Sequence, residues 1–281
     1  MTAIVLTYHS HHVLGSTYGL NDHVALPIDL EVLTREGVRI VSLDELVALA
    51  TSGRPIRELI AALTFDDGPL YDFADFVHPR YGPQPSFRTT MRSFRLTTLG
   101  AWQSSLNATS FVIASPEARL VMERTADVQY TWLADGSMSD SWWEDAVDEG
   151  AIRIANHSWD HLHPGLETVA HSRQVKADFS AVDNCEDADA QIAGAANFIQ
   201  MRTNNKMSPY FAYPFGQHNA FLVESYFPLG TSRHGASAAF TTAPGVIRGG
   251  ESVWCLPRYV CGHHWKAPTD LTNIIRNDMR T

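Results

Sequence analysis

Seven short apolar runs rich in β-branched or aromatic residues recur along the chain: Ala3 to Tyr8, Val38 to Val41, Leu59 to Phe65, Thr109 to Ala114, Ala151 to Ala155, Tyr210 to Tyr213 and Ala238 to Thr242. Helical patterns lie between them, from Ile28 to Glu36, from a Ser42-Leu-Asp-Glu45 capping box to about Ala50, from Ser141 to Glu149 and from Asn219 to Phe227. Parallel strands need a long return connection, which a helix supplies, so strands alternating with helices predict a parallel α/β architecture. An open doubly wound sheet and a closed barrel both fit. In either, groups that do chemistry gather beyond the carboxyl ends of the strands. The residues there are His9 to His12, Asp66-Asp67-Gly-Pro69, Asn156 to His163, Pro214-Phe-Gly216 and Thr241-Thr242, a set rich in His and Asp.

Composition bounds the partners. With 281 residues, 44% of them hydrophobic, the chain can bury a full core. Its 31 acidic against 21 basic residues leave a net charge of −10, which argues against nucleic acid or an anionic membrane as partner. No apolar run approaches the ~20 residues needed to span a bilayer. The opening MTAIVLTYHSHH has no basic region before its short apolar stretch, so it reads as a strand rather than a signal peptide. As it stands the chain is expected in the cytoplasm, or outside it if a leader has been removed. Cys185, Cys255 and Cys261 are odd in number and lack C-x-x-C spacing, so they are expected to be small buried residues. No repeat or linker divides the sequence, and one domain over 1–281 is expected. The stretch between Phe65 and the next strand is longer than such connections usually are and includes Tyr81-Gly-Pro-Gln-Pro-Ser86, which predicts an inserted loop within 71–108, either a lid or a surface excursion.

Two strand ends present metal-binding chemistry. Asp66 and Asp67 precede Gly-Pro, where carboxylates also serve ordinary turns; a catalytic use needs one to hold a cation and the other to stay free as a base. His157 and His161, in Asn-His-Ser-Trp-Asp-His, are the only histidine pair at that spacing among 13 histidines. One carboxylate and two imidazoles form a facial set that leaves positions for water and substrate. His163 is a spare ligand or substrate contact, while His11, His12, His23, His78, His171, His218 and His234 read as surface or satisfied residues. Trp159 is placed to wall the metal pocket, and Trp142 or Trp143 to stack on a ring of the substrate.

Leu-Thr-Phe-Asp66-Asp67-Gly-Pro and Asn-His157-Ser-Trp-Asp-His161 together resemble the first two motifs of the polysaccharide deacetylases, carbohydrate esterase family 4. Phe211-Ala-Tyr-Pro214-Phe-Gly216 is similar to a third motif of the poly-N-acetylglucosamine deacetylase branch, and Leu-Thr-Tyr-His9, Asn-Ala-Thr-Ser-Phe-Val and Leu-Pro-Arg258 fit the same branch. The resemblance implies a distorted (β/α) barrel and removal of N-acetyl groups from an oligo- or polysaccharide. It implies one divalent ion, zinc by default with cobalt, nickel or manganese as alternatives, on Asp67, His157 and His161. Asp66 would be the general base and His9 the acid, a role that falls to a Leu-x-His near the C-terminus in other members; here only His263 and His264 stand there. Phe215 would give a backbone oxyanion donor. Ala212 stands where other members carry an arginine, and Arg258 is the candidate to orient Asp66. The same attack suits a small amide, cyclic imide or acetyl ester, and an inactive carbohydrate-binding relative is the rival outside catalysis. Oligomeric state is not legible.

Overall fold

The computed structural model describes residues 2–125 and 132–280. Its strands are β1 (Ala3–Tyr8), β2 (Arg39–Ile40), β3 (Ile60–Asp67), β4 (Phe76–His78), β5 (Gly82–Gln84), β6 (Ala108–Val112), β7 (Ile152–Asn156), β8 (Tyr210–Ala212), β9 (Ala238–Phe240) and β10 (Tyr259–Val260). The early connections carry α1 (Asp22–Arg35), α2 (Leu43–Thr51), α3 (Phe87–Arg95), α4 (Pro116–Thr125) and α5 (Trp143–Glu149). Ser42 caps α2 by accepting from the Glu45 N–H at 3.1 Å, as its capping box requires. No helix among the described residues is long and apolar enough to cross a membrane.

Seven strands follow one path, β10-β1-β3-β6-β7-β8-β9, and every pairing along it is parallel. β2 joins the early half of β3, where Arg39 and Ile40 face Ile60 and Ala61; β6 takes over from Leu63 onward. Leu256 bridges to Phe240, and three residues later Tyr259 and Val260 pair with Leu6 and Thr7. The segment 256–260 therefore joins the two ends of the sheet and curls it into a distorted barrel. All carboxyl ends then point to one mouth.

Strand alternation sorts the side chains. Ile4, Leu6, Tyr8, Ala61, Leu63 and Phe65 pack outward with α1 and α3 in one apolar cluster. Ala3, Val5, Ile60, Ala62, Phe111, Ala155, Ala212 and Phe240 form another, the barrel interior, with α2. Extending the second register along β3 brings Thr64 and then Asp66 inward at the mouth. Strands buried on both faces explain why β1 and β3 read as continuous apolar runs.

The stretch 71–108, expected to hold an inserted loop, carries the β4–β5 hairpin and α3, whose Phe87, Met91 and Phe94 lie in the core. Other expectations are corrected. Trp142 and Trp143 are 2% and 0% exposed and pack in that core, which removes them as sugar platforms. Of the cysteines only Cys261 is buried; Cys185 is exposed and Cys255 half-exposed, all three as free thiols. Asn219 to Phe227 contains a π turn at Leu222–Tyr226. β10 escaped notice because two residues carry no periodicity.

One core polar group gives a pH prediction. Asp29, on α1, accepts from the Tyr8 hydroxyl at 3.0 Å, Trp265 Nε1 at 3.1 Å and the Tyr18 hydroxyl. Burial outweighs these donors and pushes its carboxyl up to about 7. Below about pH 4 both folded and unfolded chains hold the proton; between about 4 and 7 only the folded chain does, so this contribution to stability is lost as pH rises through that window. Asp29→Asn is expected to gain stability relative to the wild type on going from pH 5 to pH 8, on the order of 1–3 kcal/mol in urea melts. Parallel curves for the two proteins would contradict it.

Candidate metal centre

Asp67 ends β3 with φ at 71°, outside the extended region, so the alternation that aims Asp66 into the barrel is broken one residue later. Gly68 follows at φ 73°, where a Cβ would lie 2.5 Å from Val112 Cγ1, so glycine is required both by the turn and by the close approach to β6. This bend places Asp67 Oδ1 3.7 Å from His157 Nε2 and 3.8 Å from His161 Nε2.

The two histidines are delivered by the turn after β7. Ser158, His161 and Leu162 all have positive φ, and hydrogen bonds hold each step. Asn156 Oδ1 accepts from the Ser158 N–H at 2.8 Å, Ser158 Oγ from the His161 N–H at 3.0 Å, and Asp160 Oδ1 from the Leu162 N–H at 2.9 Å. Gln191, on a π turn at Asp189–Ala193, donates Nε2 to Asp160 Oδ1 at 2.7 Å, and its carbonyl accepts from the Trp159 N–H. This support was not foreseen: a π turn has no signature at this spacing. His157 Nδ1–H donates to the Ala212 carbonyl at 2.9 Å, which fixes the tautomer and leaves the Nε2 lone pair facing Asp67.

These groups fit a divalent cation. One oxygen of Asp67 and one nitrogen of each histidine lie within 4.8 Å of one another, all three residues are buried, and the 3.7–3.8 Å separations exceed hydrogen bonds while matching neighbouring donors around one small ion. Burial raises the Asp67 carboxyl, but His11, His161, His157 and His9 together bring it well below the usual carboxylate range. Burial, with His157 beside it, pushes the His161 imidazole down to about 3, so it is neutral and available as a ligand.

Asp66 is engaged differently. Arg258, 0% exposed, grips it at both oxygens, Nη1 to Oδ1 at 2.7 Å and Nη2 to Oδ2 at 2.8 Å. The guanidinium is itself fixed by Thr241 O at 3.1 Å and lies over the Phe111 ring at 5.3 Å. Burial would raise the Asp66 carboxyl, but Arg258, followed by His157 and His9, leaves it lowered and ionised. Two adjacent carboxylates thus have separate environments.

The remaining groups ring the mouth. His9 and His11 follow β1 with ring centroids 5.6 Å apart, and both act electrostatically on Asp67. His11, given no role from sequence, has Nε2 3.6 Å from Asp67 Oδ2, and burial pushes its imidazole down to about 4. Nothing in a run of three histidines over four residues distinguishes it before folding. Phe215 sits at φ 57° in the turn after β8, with its ring centroid 4.3 Å from that of His161. Gly216 beside it admits no Cβ, which would meet Thr242 Oγ1 at 1.9 Å. His264 Nδ1 accepts from the Val260 N–H at 2.8 Å, and the His263 and His264 rings lie 4.5 Å apart beyond β10. His163 Nδ1 accepts from the Gly165 N–H at 3.2 Å and stands outside the ligand cluster. Trp159 packs edge-on against Phe198.

The model of the polysaccharide deacetylase family matches residues 103–232. IcaB from Ammonifex degensii has a similar structure, with TM-score 0.65 and 17% identity over 98% of this chain and 96% of that one. The Streptococcus pyogenes deacetylase PplD, solved in complex with acetate, gives TM-score 0.58 and 16% identity over 96% of both chains. The BpsB deacetylase domain from Bordetella bronchiseptica gives 0.55 and 16% over 92% of this chain and 96% of that one. No curated protein matches the sequence. The fold is the distorted (β/α) barrel expected from the motifs.

Proposed function

We propose that this chain is a member of the polysaccharide deacetylase superfamily and a metal-dependent hydrolase removing N-acetyl groups from an amino sugar within an oligo- or polysaccharide; the family model over 103–232 and the shared fold support this reading. The whole of 1–281 acts as one catalytic domain, of the branch with an N-terminal Tyr-His. The observation that carries this reading is the division of labour at the end of β3: Asp67 faces two histidines, whereas Asp66 is buried, ionised by Arg258 and outside the ligand set.

A divalent ion held by Asp67, His157 and His161, zinc by default, would supply Lewis-acid polarisation of the acyl carbonyl and acidify water. Asp66 accepts the proton of the attacking water; its pair with Arg258 keeps it charged and aimed into the mouth. The Phe215 N–H, presented by a backbone that Pro214 and Gly216 hold, donates to the developing oxyanion. An amine leaves only when protonated, and His9, at the end of neighbouring β1, gives that proton. Arg258 is a positioning residue, since it touches Asp66 and not the substrate.

Acetate release from N-acetylglucosamine oligomers, abolished by a chelator and restored by zinc, cobalt, nickel or manganese, is the expected result. Release from acetyl esters or small amides alone would reassign the substrate, and no turnover on any of them would leave a carbohydrate-binding relative. His9→Ala is expected to lower turnover ~10²–10⁴-fold with metal content unchanged; full activity would transfer the acid role to His263 or His264.

A further inference from the structure

We propose that His11, outside the Asp-His-His set, is a positioning residue that fixes the Asp67 carboxylate in its ligating orientation. The inference rests on the metal-dependent reading above. The two oxygens of Asp67 face different partners: Oδ1 lies 3.7 and 3.8 Å from His157 and His161, and Oδ2 lies 3.6 Å from His11 Nε2. A carboxylate turns about one bond to exchange its oxygens or to chelate. An imidazole N–H standing 3.6 Å from the outer oxygen, just beyond hydrogen-bond length, favours one orientation electrostatically, and ligating carboxylates commonly depend on such neighbours.

What makes His11 able to do this is the rigidity of its turn. The His12 N–H closes it onto the His9 carbonyl at 2.9 Å. Asp22, at the start of α1, accepts from the His9 N–H at 2.8 Å through one oxygen and from His12 Nδ1 at 2.7 Å through the other. The Ser10 hydroxyl donates to Asp72 at 2.5 Å, and the His23 ring bonds the Ser10 carbonyl at 2.7 Å. The His11 carbonyl accepts from the Trp132 N–H at 3.3 Å. Every residue of the turn is therefore pinned, and the side chains of His11 and Asp67 are only 14% and 11% exposed, which limits competition from water.

The test is zinc affinity, measured on chelator-stripped protein by competition with a chromophoric chelator, for the wild type, His11→Ala and His11→Gln. His11→Ala is expected to bind zinc ten- to hundredfold more weakly. His11→Gln, which keeps an N–H donor, is expected to recover most of that loss, with the melting of metal-free protein unaltered in both. Wild-type affinity in His11→Ala overturns the proposal, and so does a glutamine variant as weak as alanine, the behaviour of a direct ligand or of a general structural defect. A wild-type protein that binds no zinc would remove the metal-dependent reading as well, whereas zinc binding indifferent to residue 11 removes only this one.

Discussion

Asp66→Asn is expected to keep its divalent ion and lose turnover by ~10²–10⁴-fold, whereas Asp67→Asn and His157→Ala are expected to lose the ion and all activity with it. The contrast follows from the geometry. Asp67 shares a buried cluster with two imidazoles whose donors lie within 4.8 Å, so removing its charge or one ring leaves too few ligands. Asp66 spends both oxygens on Arg258, and an amide of the same shape can still receive one of those bonds while taking no proton from water. Elemental analysis after dialysis, together with rates of acetate release, separates the two. An Asp66→Asn enzyme that retains full rate would refute the base assignment; one that also loses its ion would place Asp66 among the ligands.

Arg258→Met is expected to destabilise the protein by about 3–5 kcal/mol, because it strands a buried carboxylate without its counter-charge. Both partners are almost wholly enclosed, at 0% and 4% side-chain exposure, so no solvent is at hand to compensate. The double variant Asp66→Asn/Arg258→Met leaves no unpaired charge and is expected to recover most of the loss. Urea unfolding of the wild type, both single variants and the double variant forms a closed cycle. Additive effects within about 0.5 kcal/mol would show that the pair is not coupled.

The fold class was legible because each apolar run reports its own burial: β1 and β3 are enclosed on both faces and advertise it residue by residue. Element limits were less legible. β3 continues through Asp66 and Asp67 because their pairing with Phe111 and Val112 outweighs the poor strand propensity of aspartate. Likewise α3 went unread behind the hairpin, its strongly basic outer face obscuring Phe87, Met91 and Phe94. The two tryptophans placed at a sugar were instead core residues, since a large ring at a helix start has no sequence mark separating a wall from a platform.

What the sequence determined by itself was the alternation of strand and helix and the identity of the residues that close each strand, Asp66-Asp67, His157 to His161 and Phe215 among them. Those follow from local periodicity and from motifs a few residues long. Only the tertiary structure decided that Arg258 meets Asp66 across 192 residues, that His11 Nε2 comes to 3.6 Å from the second oxygen of Asp67, and that a π turn carrying Gln191 braces the histidine loop. Such contacts depend on barrel closure and strand register, which set distances between segments that carry no trace of one another in their own spacing.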